Sequence, residues 1–127
     1  MRGLLGLLAL ILGGCAVTPP PVAHRVEGEV RMAQPLPRLA RIEVTVLSRV
    51  DGQPREVQRL RYETGALPLS FSTRLSPVQW GSGDLFLRAY LYFVGMPAVQ
   101  AGAREKIMGE NKVMLTMLPR RCFPNCQ

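Results

Sequence analysis

From residue 24 onward the sequence predicts an all-β chain, a small antiparallel β-sandwich of about seven strands. Three observations carry that expectation. Apolar and polar residues alternate with a period of two in run after run, which is the pattern of strands with one buried face. Turn-forming Pro, Gly, Asp and Asn separate the runs at short intervals. The composition, 47% hydrophobic and 20% charged, is that of an ordered chain with no disordered bias.

In chain order, His24 to Arg31 places Val26, Gly28 and Val30 on one face and Arg25, Glu27, Glu29 and Arg31 on the other. Pro35 and Pro37 end that run. Arg41 to Val50 sets Ile42, Val44 and Val46 against Glu43, Thr45 and Ser48, with the β-branched residues that suit a pleated, one-sided surface. Asp51-Gly52 is a hairpin turn signal, and Glu56 to Tyr62 follows as an Arg-rich strand. Leu67 to Leu75 alternates again, with Pro68 marking a strand entry or an edge. Ser76 to Gly83, with Pro, Trp and Gly, reads as a loop. Asp84 to Val94 is apolar on both faces, which marks a central, covered strand or one whose second face lines a contact surface. Gly95-Met96-Pro97 turns the chain. The residues from Ala98 to Met108 admit a helix that Gly102 weakens. Asn111 to Leu118 is a last strand with Val113, Leu115 and Met117 inward.

Ahead of the domain lies a leader. Met1-Arg2 is followed by a run of Leu, Ile, Ala and Gly that closes on Leu12-Gly13-Gly14-Cys15. A basic start, an apolar centre and small residues at the cut make a secretory signal. The cysteine at the cut resembles the bacterial lipobox, whose thiol is acylated before cleavage leaves it as residue one. An ordinary signal peptide with an incidental cysteine is the alternative. The run is too short to span about 30 Å of hydrocarbon. The expected organisation is a lipoprotein signal peptide over 1–14, an acylated Cys15 and Pro-rich tether over 15–23, and one sandwich domain over 24–127. Thr18-Pro19-Pro20-Pro21 would hold the domain roughly 20 Å from the headgroups if fully extended.

The formal net charge is +7, and only Lys106 and Lys112 among the basic residues are lysines. Such a balance suits nucleic acid, an anionic membrane surface or an acidic partner, and the export signal removes nucleic acid. Cys122 and Cys126 form the remaining cysteine pair, most simply bridged in an oxidising compartment, with free thiols as the alternative. Straight strand geometry would hold them about 13 Å apart, so the Pro124-Asn125 turn has to fold the tail back. A zinc site would need further ligands, and His24, the sole histidine, is remote in sequence.

The search for chemistry yields no catalytic residues, no metal set and no cofactor motif, so no enzyme is expected. Glu27 and Glu29 share a solvated strand face, and Arg120-Arg121 a solvated chain end. The surplus is aromatic: Trp80, Phe86, Tyr90 and Tyr92. Core packing is their default role. A two-faced strand in so small a domain also allows them to form a partner-docking surface for an added strand or an amphipathic helix.

The order Val26-Glu27-Gly28-Glu29-Val30, Leu36-Pro37 and Ala40-Arg41-Ile42-Glu43-Val44-Thr45-Val46 resembles the YscW/YbaY family of bacterial lipoproteins. So do Leu67-Pro68-Leu69-Ser70-Phe71, Leu87-Arg88-Ala89-Tyr90-Leu91 and the closing Val113-Met114-Leu115-Thr116-Met117-Leu118-Pro119. The resemblance implies a β-sandwich without catalysis. It points first to a type III secretion pilotin, which binds a secretin subunit through its C-terminal segment and promotes its outer-membrane localisation and oligomerisation. The other classes it leaves are an envelope-maintenance lipoprotein of the same fold with no secretin partner, and a periplasmic ligand carrier or inhibitor. Ala16 stands after Cys15 where an Asp would resemble an inner-membrane retention signal. That implies handling by the lipoprotein sorting machinery, with the domain lipid-anchored at the outer membrane and facing the periplasm.

Overall fold

The computed structural model describes residues 23–109 and 111–127, so the leader, Cys15 and nearly all of the tether lie outside the described residues. In chain order the elements are β1 (His24–Arg31), β2 (Ala40–Val50), β3 (Gln53–Thr64), β4 (Leu69–Leu75), α1 (Pro77–Trp80), β5 (Asp84–Phe93), β6 (Val99–Lys106), β7 (Val113–Thr116) and β8 (Leu118–Pro119). They make a β-sandwich of two sheets, β4-β1-β7 and β3-β2-β5-β6-β8. All strand pairs are antiparallel except β1 with β7, which run parallel.

The alternation seen in the sequence sets which face each sheet buries. Val26, Val30, Phe71, Leu75, Val113 and Leu115 come from the smaller sheet, and Ile42, Val44, Val46, Leu87, Leu91 and Phe93 from the larger. Together they form one core, each full burial contributing about 1.5–3 kcal/mol before entropy is counted. The β2–β3 hairpin closes on Asp51 and Gly52 at φ 52° and 76°, the two positive values a tight hairpin turn requires. Ser48 sits on the core side of β2, opposite Leu85, rather than with Glu43 and Thr45. Parity along the strand decides this, since Ser48 lies an even number of residues from Ile42.

The structure corrects the sequence expectation in three segments. Ser76 to Gly83 holds one helical turn, α1, because Ser76 and Gln79 form a reciprocal capping box and Pro77 occupies the first turn. The stretch admitting a helix is strand β6, paired with β5 and bulged at Gln100, between the Leu91–Ala101 and Tyr92–Val99 pairs. The expected last strand divides at Met117. Its first half, β7, joins the smaller sheet and its second, β8, the larger, while Met117 N–H donates to the Arg31 carbonyl at 2.6 Å.

The tail folds back as the turn residues require. Cys122 and Cys126 are bridged with Cα atoms 4.8 Å apart, and Asn125 N–H donates to the Cys122 carbonyl at 2.7 Å. The bulge turns Gln100 inward, fully buried, where its amide bonds both backbone groups of Cys126 at 3.1 and 3.2 Å. Phe123 packs on Phe93, ring centres 5.9 Å apart. The clip thus closes one end of the core as well as fixing the tail.

Two stability outcomes follow from these contacts. A methyl at Gly28 would run into the Val113 carbonyl oxygen and lie 2.7 Å from Phe71 Cζ, so Gly28→Ala forces β1 from β7. It should cost about 2 kcal/mol and lower Tm by roughly 10 °C, and an unchanged melt would show that the inner faces have room. Gln100→Leu strands the buried Cys126 N–H and carbonyl and should cost about 2 kcal/mol in urea titration, with an unchanged midpoint counting against the lock.

Candidate docking face

The smaller sheet covers one face of the larger sheet. The opposite face of β3, β2, β5 and β6 carries the residues of the other parity, and the registers stack them in rungs. Glu56, Leu47, Phe86 and Lys106 form one rung, and Arg59, Thr45, Arg88 and Arg104 the next. Arg61, Glu43, Tyr90 and Gly102 follow, with Leu118 of β8 beside Gly102. Glu63, Arg41 and Tyr92 make the last.

Arginines roof the rings. The guanidinium carbons of Arg49 and Arg104 lie 5.3 and 4.4 Å from the Phe86 ring centre. Arg88 lies 4.7 Å from Tyr90, and Arg41 4.8 Å from Tyr92. Tyr90 and Tyr92 meet edge to face at 6.5 Å. Each cation–π contact is worth about 0.5–1 kcal/mol at an exposed site, and the aliphatic stems cover apolar surface. Phe86 is thereby only 7% exposed although, among the described residues, no second sheet lies over it. Two hollows, of 320 and 470 Å³, share Arg104 and run beside Phe86 and beside Tyr90, Gly102 and Leu118. Gly102 opens the second hollow, since a side chain there would press on Tyr90.

Of the aromatic residues singled out in the sequence, Phe86, Tyr90 and Tyr92 thus share one face. Trp80 is elsewhere. It stacks on His24 with ring centres 4.4 Å apart and planes 9° from parallel, and it packs against the core from α1. The arginines were not singled out, although their strand parity with the rings is visible in the sequence. On the opposite side of the sandwich, Glu29 is paired with Arg31 at 2.9 Å and Lys112 at 3.7 Å. The Arg31 hydrogen bond is the main cause holding its carboxyl below the usual glutamate range. Arg120 and Arg121 are exposed, and Arg120 donates to the Val99 carbonyl at 2.9 Å. Among the described residues there is no group of three or more His, Cys, Asp or Glu that could hold a metal, and no helix long and apolar enough to cross a membrane. The inward side chains of the two sheets form one buried cluster.

Burial, reinforced by the nearby Glu43 carboxylate and opposed by the Arg41 charge, raises the Tyr92 phenol above its ordinary value. Above pH 10 an unfolded tyrosine loses its proton while the folded Tyr92 keeps it, so stability falls as pH rises through that range. In Tyr92→Phe the drop in urea stability between pH 9 and 10.5 should shrink, and an undiminished drop would assign it to other groups.

The family model described as type III secretion system lipoprotein chaperone (YscW) matches residues 21–117. A type 3 secretion system pilotin of Yersinia enterocolitica is 51% identical over 95% of this chain and 91% of its own. One from Pseudomonas aeruginosa is 32% identical over 94% of this chain and 88% of its own. An alternative pilotin from the type II secretion system of Vibrio cholerae shares the fold, with a TM-score of 0.60 and 15% identity over 76% of this chain and 98% of that one. The chain belongs to the YscW family of type III secretion system lipoprotein chaperones.

Proposed function

We propose that the chain is a type III secretion pilotin. It is a lipoprotein anchored at the outer membrane through acylated Cys15 after removal of residues 1–14, and tethered by residues 15–23. Its domain faces the periplasm, binds the C-terminal segment of a secretin subunit and promotes that subunit's outer-membrane delivery and oligomerisation. The observation that carries this reading is the 51% identity, over 95% of the chain, to the Yersinia enterocolitica pilotin. The lipoprotein sorting machinery is the second partner, supported by Ala16 after the anchor cysteine.

This role needs no bond chemistry, and neither catalysis nor a cofactor is assigned. Acyl chains contribute about 0.8 kcal/mol per buried methylene, and two or more hold a protein firmly. A cargo bound to the domain shares that anchor and is concentrated at the membrane surface. The docking surface is the face carrying Phe86, Tyr90 and Tyr92, where ring edges and apolar bodies suit a partner contact. Trp80, stacked on His24, supports the end of the domain where the tether enters.

Deletion of the gene should lower outer-membrane secretin multimers at least about tenfold, as the loss of a shared anchor predicts. Cys15→Ser should reproduce that loss with the domain still folded but released from the membrane fraction. Normal multimers in the deletion strain would sink the pilotin reading.

A further inference from the structure

One rung of the docking face is electrostatically incomplete. Arg88 and Arg104 stand directly opposite each other on β5 and β6, and Arg59 lies on the same rung across Thr45. Like charges facing across strands are destabilising. Of the acids on this face, Glu43 lies 3.4 Å from Arg61 and 3.8 Å from Arg41, and Glu56 2.7 Å from Arg59, while Glu63 stands on the last rung and Asp84 opposite Arg49 at the Phe86 hollow. Among the described residues, Arg49, Arg88 and Arg104 have no carboxylate within ion-pairing distance. Arg88 Nε is moreover buried with no hydrogen-bond acceptor. A guanidinium resting over a ring still presents edge N–H donors, the fork that carboxylates fill.

We infer that this rung is a carboxylate seat, filled by an acidic segment of the secretin. Acidic side chains of that segment pair with Arg88 and Arg104. Apolar side chains beside them cover half-buried Tyr90 and Leu118, the last 72% exposed next to the Gly102 hollow. The inference rests on the pilotin reading and adds the chemistry of the contact. Charge complementarity selects the occupant, because unpaired cations, an unfilled donor and uncovered apolar groups lie within one groove. A headgroup layer would satisfy the cations and leave Leu118, 72% exposed beside Tyr90, uncovered.

Co-purification of the secretin with the full-length, anchored chain tests it. Arg88→Glu with Arg104→Glu should reduce the retained secretin at least about thirtyfold. Arg25→Glu with Arg74→Glu, the same charge change on an exposed cross-strand pair of the smaller sheet, should leave it unchanged. The neutral pair Arg88→Gln with Arg104→Gln relieves the repulsion without adding charge, and it should also lose the secretin while its circular dichroism and Tm are maintained. Changing acidic residues of the bound segment to Lys should restore retention by the Arg88→Glu, Arg104→Glu chain. If the unmodified chain retains no secretin, the pilotin reading falls and takes this inference with it. If the unmodified chain and both Arg88/Arg104 variants retain it equally, the carboxylate seat alone falls. Equal loss in the Arg25/Arg74 control would reduce the effect to overall charge and overturn the seat. A variant that keeps the secretin but leaves the outer-membrane fraction would make the face a headgroup contact, which also overturns it.

Discussion

Strand β5 must satisfy two environments at once, and the rest of the domain is arranged around that demand. It lies between β2 and β6, in the middle of the larger sheet. Its residues of one parity, Leu85 to Phe93, are buried against the smaller sheet. Its residues of the other parity, Phe86, Arg88, Tyr90 and Tyr92, point to a side with no second sheet among the described residues. Rings left bare on a small domain would form the kind of apolar patch that drives unspecific association. Arginines from β2, β5 and β6 solve this locally, since each has a long apolar stem and a head that tolerates both a ring and water. The basic character of the chain is therefore in part a structural answer to a sheet covered on one side.

The same topology keeps that face rigid. Met117 hands the chain from the smaller sheet to the larger, and the Gln100 bulge ties the bridged tail to β6 from inside. Both devices act at the edge that bears Gly102 and Arg104. A docking surface built on paired strands holds its side chains at fixed spacing, so little order has to be gained on binding.

Much of the fold was readable from period-two alternation, which located β1 to β5 and the stretch that becomes β7 and β8, but not β6, which lends Ala101 to the core. The central place of β5 followed from its apolar residues on both faces. The misreadings have local causes. In β6 the small residues Ala101, Gly102 and Ala103 carry little strand pattern, and pairing with β5 decides the conformation. The helical turn at Pro77–Trp80 depends on a capping exchange between Ser76 and Gln79 that composition alone hides. The division at Met117 and the parallel β1–β7 pair are tertiary choices without a local signal. For the docking face, alternation placed Phe86, Tyr90 and Tyr92 together, whereas Trp80 lies on another element, a separation that only the packing reveals. The arginine rung was invisible because cross-strand register brings together Arg59, Arg88 and Arg104, which are far apart in the chain.

In the proposed role, anchoring and recognition divide the work in a way that fits a face carrying charge rather than a deep apolar pocket. A membrane-tethered domain meets its partner at a high effective concentration, so the contact itself need not be tight. Exposed ion pairs contribute modestly and are screened beyond about 8 Å in physiological salt, yet they raise the encounter rate and reject wrong partners. The proposed hand-over of a secretin subunit gains from such a contact, because exchange is governed by dissociation and a deep hydrophobic fit would slow it. Arginine on aromatic rings supplies that balance. The rings provide apolar area, the guanidinium forks give direction, and the unpaired rung across Arg88 and Arg104 leaves the unbound face slightly dissatisfied, so that the cost already carried in the free domain is relieved when an acidic segment arrives.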